Sequence, residues 1–260
     1  MRESIAALIL CGTDIKERDK ILTVLSAKYG KISIYASNVR SIRRGSLAYT
    51  VPFQYCRLNI ERRASGITLV GGDVVHSFMD ISGDLERFAL GQYVLDIARE
   101  LTLENNDEGE MLRLTLNTLY LIQKGERSLS HIKATFEFRA MAQAGYMPEL
   151  RGCDICGCED GEMLFDIMNG IIYCRECQKL RNMGEARPEE TGTASIVLQL
   201  TPSILKGLRY VLSCESNRVF SYSIAEEEQE EYADVCEKYI LNHLERGFRT
   251  LDFYHEVINM

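Results

Sequence analysis

Apolar positions follow two different rhythms along the chain, and the change comes near residue 80. Before it the runs are short. Ser4 to Thr13 is predicted as a first strand, and Asp14 to Asp19 as a charged loop. Ile21, Leu22, Val24 and Leu25 fit a short helix or turn ending at Tyr29-Gly30. Lys31 to Ala36 alternates with a period of two, which predicts a strand burying Ile32, Ile34 and Ala36 on one face. A polar loop, Asn38 to Thr50, separates it from strands predicted over Phe53 to Glu61, Ile67 to Val70 and Val74 to Phe78. Arg62 to Gly66 reads as a turn and Gly71-Gly72 as a bulge or turn. Five short strands with a helical insertion suggest a small barrel such as an OB-fold.

From Asp80 the spacing becomes helical. Leu85, Phe88, Ala89, Ile97 and Leu101 share a face of a helix running to about Glu104. Asn105-Asn106 and Gly109 mark a linker before Glu110–Lys124, and Gly125-Glu126 ends that helix. Ser130 caps the next, where Ile132, Phe136, Ala140 and Ala144 recur every four residues before Gly145. Asn182 to Thr193 has the composition of a surface loop. Thr201-Pro202 opens a helix with proline at its first position, and two more follow, the longest over about Glu226–His243. The fold class is therefore α+β: an OB-type barrel over 1–80 and a helical domain over 81–150 and 181–260. A cysteine-rich knuckle over 151–180 interrupts the helical part.

That knuckle carries the clearest chemistry. Cys153-Asp154-Ile155-Cys156 and Cys174-Arg175-Glu176-Cys177 form two Cys-x-x-Cys pairs at the spacing of a four-thiolate zinc site. Zn²⁺ favours a tetrahedron of thiolates, and a site closed by four cysteines leaves no position for substrate, so one structural zinc is expected. Cys158 competes with Cys156, and the Cys-x-x-Cys spacing favours Cys156. Between the pairs, Met163 to Ile167 and Ile171 to Tyr173 predict a hairpin turning at Asn169-Gly170. Paired redox thiols or disulfides explain the pattern less well, since no βαβ context or oxidising compartment is indicated.

Composition and charge narrow the field. Hydrophobic residues make up 46% and charged ones 26%, as in a globular protein with a real core. No apolar run approaches bilayer length and no signal-peptide pattern opens the chain; the scattered extra cysteines suit a reducing cytoplasm. The net charge of −8 hides an asymmetry: residues 1–80 carry twelve Lys and Arg against seven Asp and Glu, and the remainder eighteen against thirty-one. A nucleic-acid site needs local positive surface, which the first segment supplies. Hydrolase, metalloprotease and phosphate-loop motifs are missing, and the four histidines are scattered, so a hydrolase or transferase reading lacks support.

Several local runs point to one family. Glu17-Arg18-Asp19-Lys20-Ile21, Tyr29-Gly30-Lys31-Ile32-Ser33, Val51-Pro52-Phe53 and Ala144-Gly145-Tyr146-Met147-Pro148 occur in that order around the predicted strands and knuckle. With Tyr239 to Leu244 and Arg249-Thr250-Leu251, they make the whole chain resemble the RecO family of bacterial recombination-repair mediators. The basic run after the second family strand is thinner here, Ser37 to Arg44. The resemblance implies a non-enzymatic role: binding of single- and double-stranded DNA, annealing of complementary strands and contact with the C-terminal tail of the single-strand-binding protein. It also implies cooperation with RecR and, indirectly, RecA loading, in a nucleoid-associated cytoplasmic setting. Lys20, Lys31, Arg40, Arg43, Arg44 and Arg57 are the phosphate-binding candidates; Tyr35, Tyr49 and Tyr55 are candidates for base stacking. Arg139, with Lys133 second, is the expected anchor for the acidic and apolar tail. The alternative is a zinc-containing DNA-binding transcription regulator, which requires a basic recognition helix in a body that is acidic.

Overall fold

The computed structural model describes residues 1–15, 17–39, 46–182 and 196–260. Its strands are β1 Arg2–Asp14, β2 Lys20–Ser26, β3 Gly30–Ala36, β4 Gln54–Arg63, β5 Gly66–Ser77, β6 Glu149–Cys153, β7 Met163–Asp166, β8 Ile171–Cys174 and β9 Val197–Leu200. Its helices are α1 Leu85–Leu101, α2 Gly109–Lys124, α3 Leu129–Gln143, α4 Arg175–Asn182, α5 Pro202–Ser213, α6 Gln229–Leu244 and α7 Arg249–Ile258. The chain forms two compact units, Met1–Leu129 with Phe248–Met260, and Ser130–Gly247.

In the first unit β1 to β5 close into a barrel of order β1-β2-β3-β5-β4. Neighbours are antiparallel except β3 and β5, and β4 closes the ring on β1, with Arg2 opposite Glu61 and Leu8 opposite Tyr55. Ile5, Ala7, Ile9, Leu22, Val24, Ile32, Ile34, Ala36, Leu58 and Ile60 fill its interior.

Two expected elements differ. Ile21 to Leu25 is strand β2, not a helix or turn. Leu22 and Val24 enter the barrel, while Leu25, also buried, points the other way, where α1 and α2 pack on β2. A strand covered on both faces loses its alternation and reads as a continuous apolar run. β1 does the same at Ala7-Leu8-Ile9-Leu10, all buried. The two short strands expected after Gly66 are one strand, β5. It passes through Gly71-Gly72 with a register shift, Asn59 facing Gly71 and Ile60 facing Leu69, so the glycines mark a bulge.

Asp84 caps α1 by accepting the Arg87 amide. The connector from α1 to α2 binds the turn between β2 and β3: the Lys31 amide donates to Leu103 (3.0 Å), Asn105 to Tyr29 (3.0 Å) and Glu108 to Ala27 (2.8 Å). Gly30 makes this approach feasible. Its φ is +60°, and a β-carbon there would lie 2.2 Å from the Leu103 carbonyl oxygen. α7 packs on α1, with the Phe248 ring edge-on to Tyr93 at 5.6 Å and the Thr250 hydroxyl donating to Asp96 at 3.0 Å.

In the second unit a four-stranded sheet has the order β6-β8-β7-β9, with β6 and β8 parallel. The hairpin expected between the cysteine pairs is β7 and β8, turning at Asn169 and at Gly170, which has φ +67°. Helix α3 is buried almost all round, well beyond the single stripe its fourfold spacing predicts. Thr201 caps α5 through the Ile204 amide, with Pro202 following. The surface loop expected over Asn182 to Thr193 lies, from 183 on, outside the described residues. Among the described residues no helix is long and apolar enough to cross a membrane.

Candidate metal centre and nucleic-acid interface

The sheet gathers the knuckle's cysteines. Cys153 ends β6, Cys174 ends β8, and Cys177 lies in the first turn of α4, which follows without a break. Cys156 and Cys158 sit on the turn after β6, where the Gly157 amide donates to the Cys153 carbonyl at 2.8 Å. The Sγ atoms of Cys153, Cys156, Cys158 and Cys174 all lie within 4.8 Å of one another, a group able to hold a metal ion. Zn–S bonds of about 2.3 Å put tetrahedral sulfurs about 3.8 Å apart. Cys156 and Cys174 are 3.8 Å apart. All nine cysteines are free thiols. The donor set therefore fits a soft, thiophilic ion.

Cys177 stands beside this group. Its amide lies 3.4 Å from the Cys174 sulfur, and its thiol interacts with those of Cys174, Cys156 and Cys153. Five thiols converge, where the spacing argument had set Cys158 aside in favour of Cys156. The signal for the fifth is in the sequence, as the Cys-x-Cys formed by Cys156 and Cys158. The crowding divides the protons unevenly. The Cys158 amide and the neighbouring thiols lower the Cys156 thiol to about 6. Sharing with Cys156, then burial, raises Cys158 to about 12.

Sequence reasoning also missed Arg209. From α5 its Nε donates to the Leu150 carbonyl (2.6 Å), and its Nη2 to the carbonyls of Arg151 (2.7 Å) and Glu159 (3.0 Å). One guanidinium thus holds both ends of the loop carrying Cys153, Cys156 and Cys158.

The phosphate candidates are placed unequally. Arg57 is exposed on β4, opposite Asp73 of β5. Lys20 has a side chain only 17% exposed and lies 3.8 Å from Asp14. Lys31 donates to the Arg99 carbonyl at 2.7 Å, supporting the end of α1. Arg40, Arg43 and Arg44 lie outside the described residues. Tyr35 donates to Asp19 at 2.8 Å, Tyr49 packs against the barrel core, and Tyr55 is half-buried on β4.

The two expected tail anchors both have partners within the protein. Lys133 is 3% exposed, and its ammonium lies 2.9 Å from Glu137 and 2.6 Å from Glu237. It is an internal charge in a buried cluster. Arg139 donates to the carbonyls of Val211 (2.7 Å), Leu212 (2.9 Å) and Cys214 (3.3 Å). Its charge closes the C-terminus of α5, where unpaired carbonyls favour a cation. Helical spacing placed both residues on α3 but could not show that neighbouring elements cover nearly every side of it.

Comparison with known proteins covers both halves of the chain. Residues 1–78 match the family model described as recombination protein O N terminal, and 82–252 the one described as recombination protein O C terminal. A curated DNA repair protein RecO from Acetivibrio thermocellus is 28% identical over 249 residues, 95% of this chain and 94% of that protein. The Myxococcus xanthus protein of the same description is 29% identical over 253 residues, 96% of each chain. One from Anaeromyxobacter dehalogenans is 31% identical over 204 residues, 76% of this chain and 79% of its own. With models for both termini matched in order and relatives aligned nearly end to end, this chain belongs to the RecO family of DNA repair proteins.

Proposed function

We propose that the protein is a non-catalytic mediator that binds single- and double-stranded DNA, anneals complementary strands and, with RecR, promotes RecA loading on strands coated by single-strand-binding protein. Membership in the family across both halves of the chain carries this reading. The closed barrel of order β1-β2-β3-β5-β4 supports it, being the architecture of an OB-type platform for oligonucleotides. So does the excess of cations in residues 1–80. DNA contacts are assigned to Arg57 and the run Arg40, Arg43 and Arg44, with Lys20 and Lys31 secondary because both have protein partners.

One zinc ion is assigned a structural role in the knuckle, held by Cys153, Cys156, Cys174 and Cys177. Zinc would cross-link β6, β8 and α4, and its binding energy would become folding energy of the second unit. The tail of the single-strand-binding protein is assigned to that unit. A pocket of about 590 Å³ there, lined by Met147, Pro148, Leu150, Arg151, Arg209 and Leu212, sets apolar side chains beside guanidinium groups. The setting proposed is the nucleoid in the cytoplasm.

Annealing of complementary strands coated with the organism's own single-strand-binding protein tests the reading, with the salt dependence of DNA binding measured alongside. Replacing Arg40, Arg43 and Arg44 together by Ala is expected to flatten the slope of log affinity against log salt by about 2 on single strands. Absence of annealing at any salt concentration would overturn the mediator function. An unchanged slope would move the phosphate contacts elsewhere on the barrel.

A further inference from the structure

A four-coordinate ion needs four thiolates, and the knuckle brings five cysteines together. Cys153, Cys156 and Cys174 are common to both available sets: Cys158 lies within 4.8 Å of all three sulfurs, and Cys177 interacts with the same three. Backbone contacts hold Cys158 in place. Its carbonyl accepts from the Cys153 amide at 2.8 Å, and the next carbonyl, that of Glu159, accepts from Arg209. Gly152 and Gly157 permit this tight loop. A β-carbon on Gly152 would lie 2.9 Å from the Gly157 carbonyl oxygen, and Gly157 has φ +73°. Cys177 is placed independently, by the start of α4. Two separate devices thus bring a further sulfur to the three shared ones.

We propose that Cys153, Cys156 and Cys174 are permanent ligands and that Cys158 and Cys177 exchange at the fourth coordination position of the metal. The proposal rests on the zinc reading above. In the exchange the bond from zinc to one sulfur breaks, the bond to the other forms, and a proton passes from the incoming thiol to the outgoing thiolate. Charge and coordination number are conserved. The spare thiol then recaptures an ion that has lost one ligand, so release to a chelator is slow as long as both cysteines are present.

The test uses the full chain as wild type, Cys158→Ser, Cys177→Ser and the double variant. Zinc per chain is measured by elemental analysis, and its release to a chromophoric chelator is followed in time. Each single variant is expected to keep one zinc and release it about tenfold faster, a change of the size seen when a residue supporting a metal site is removed. The double variant is expected to lose zinc. If one single variant loses its zinc while the other releases at the wild-type rate, the ligand set is unique and exchange is overturned. Zinc retained by the double variant at the wild-type rate overturns it as well. A metal-free wild type purified in reducing buffer would overturn the zinc reading itself, and exchange with it.

Discussion

Glu3 accepts a hydrogen bond from the Tyr29 hydroxyl at 2.6 Å and another from Arg62 at 2.6 Å, while the Arg62 guanidinium lies 4.0 Å from the Tyr29 ring centre. The Tyr29 hydroxyl, then Arg62, hold its carboxyl below the ordinary Glu value against the opposing effect of burial. Because the folded-state value is depressed, the contribution is complete above the unfolded value and is lost as pH falls through the folded one. Glu3→Gln is therefore expected to cost about 2 kcal/mol at neutral pH, the scale of hydrogen bonds to a charged group. Its deficit against wild type should shrink as pH drops below about 4.3. Urea titrations across that range check this, and parallel stability profiles would refute it. The same pairings show what charge counting misses. Arg2 and Arg63 meet Glu61, Arg62 meets Glu3, Lys20 meets Asp14 and Lys31 meets a carbonyl, so several of the cations in residues 1–80 are engaged within the protein. A sequence shows how many cations there are; only folding shows which face solvent.

Elements were legible where a local rule decided them. The hairpin of β7 and β8, the capped start of α5 and the alternating β3 each follow from a short run of residues. β2 was not legible, since its pattern depends on helices supplied by a later part of the chain. Nor was β9, a four-residue strand whose partner β7 lies inside the knuckle, on the other side of β8, α4 and the undescribed segment. At the candidate metal centre, spacing found the cysteine pairs, but choosing among five sulfurs needed their positions in space. Gly30 shows the same limit from the other side, as its role depends on a connector more than seventy residues away. Gly30→Ala is expected to destabilise the first unit by about 3 kcal/mol, combining an unfavourable positive φ with a clash against the Leu103 carbonyl. Thermal unfolding measures it; a loss under half a kcal/mol would mean that the connector shifts without cost to stability.

At the scale of the whole molecule, the first unit is discontinuous. Met1–Leu129 is joined by Phe248–Met260, with Ser130–Gly247 inserted between them. Family models divide the chain elsewhere, between 78 and 82, so the sequence boundary and the folding boundary differ. Packing of α1 and α2 on β2 draws residues up to 129 into the first unit, and the buried contact of Phe248 with Tyr93 ties α7 to α1. Removing residues 248–260 is expected to lower hydrogen-exchange protection throughout α1 and the barrel while leaving β7 and β8 protected. Unchanged protection in α1 would show that α7 is dispensable there.

The position of α7 also imposes an order of events on a growing polypeptide. Domains usually mature in the order they leave the ribosome. Here the barrel and α1 emerge before the inserted unit, and Tyr93 lacks its ring contact with Phe248 until that unit has been translated. The nascent chain thus carries this surface without its partner while all of residues 130–247 are made, and a unit begun before the insertion is completed only after it.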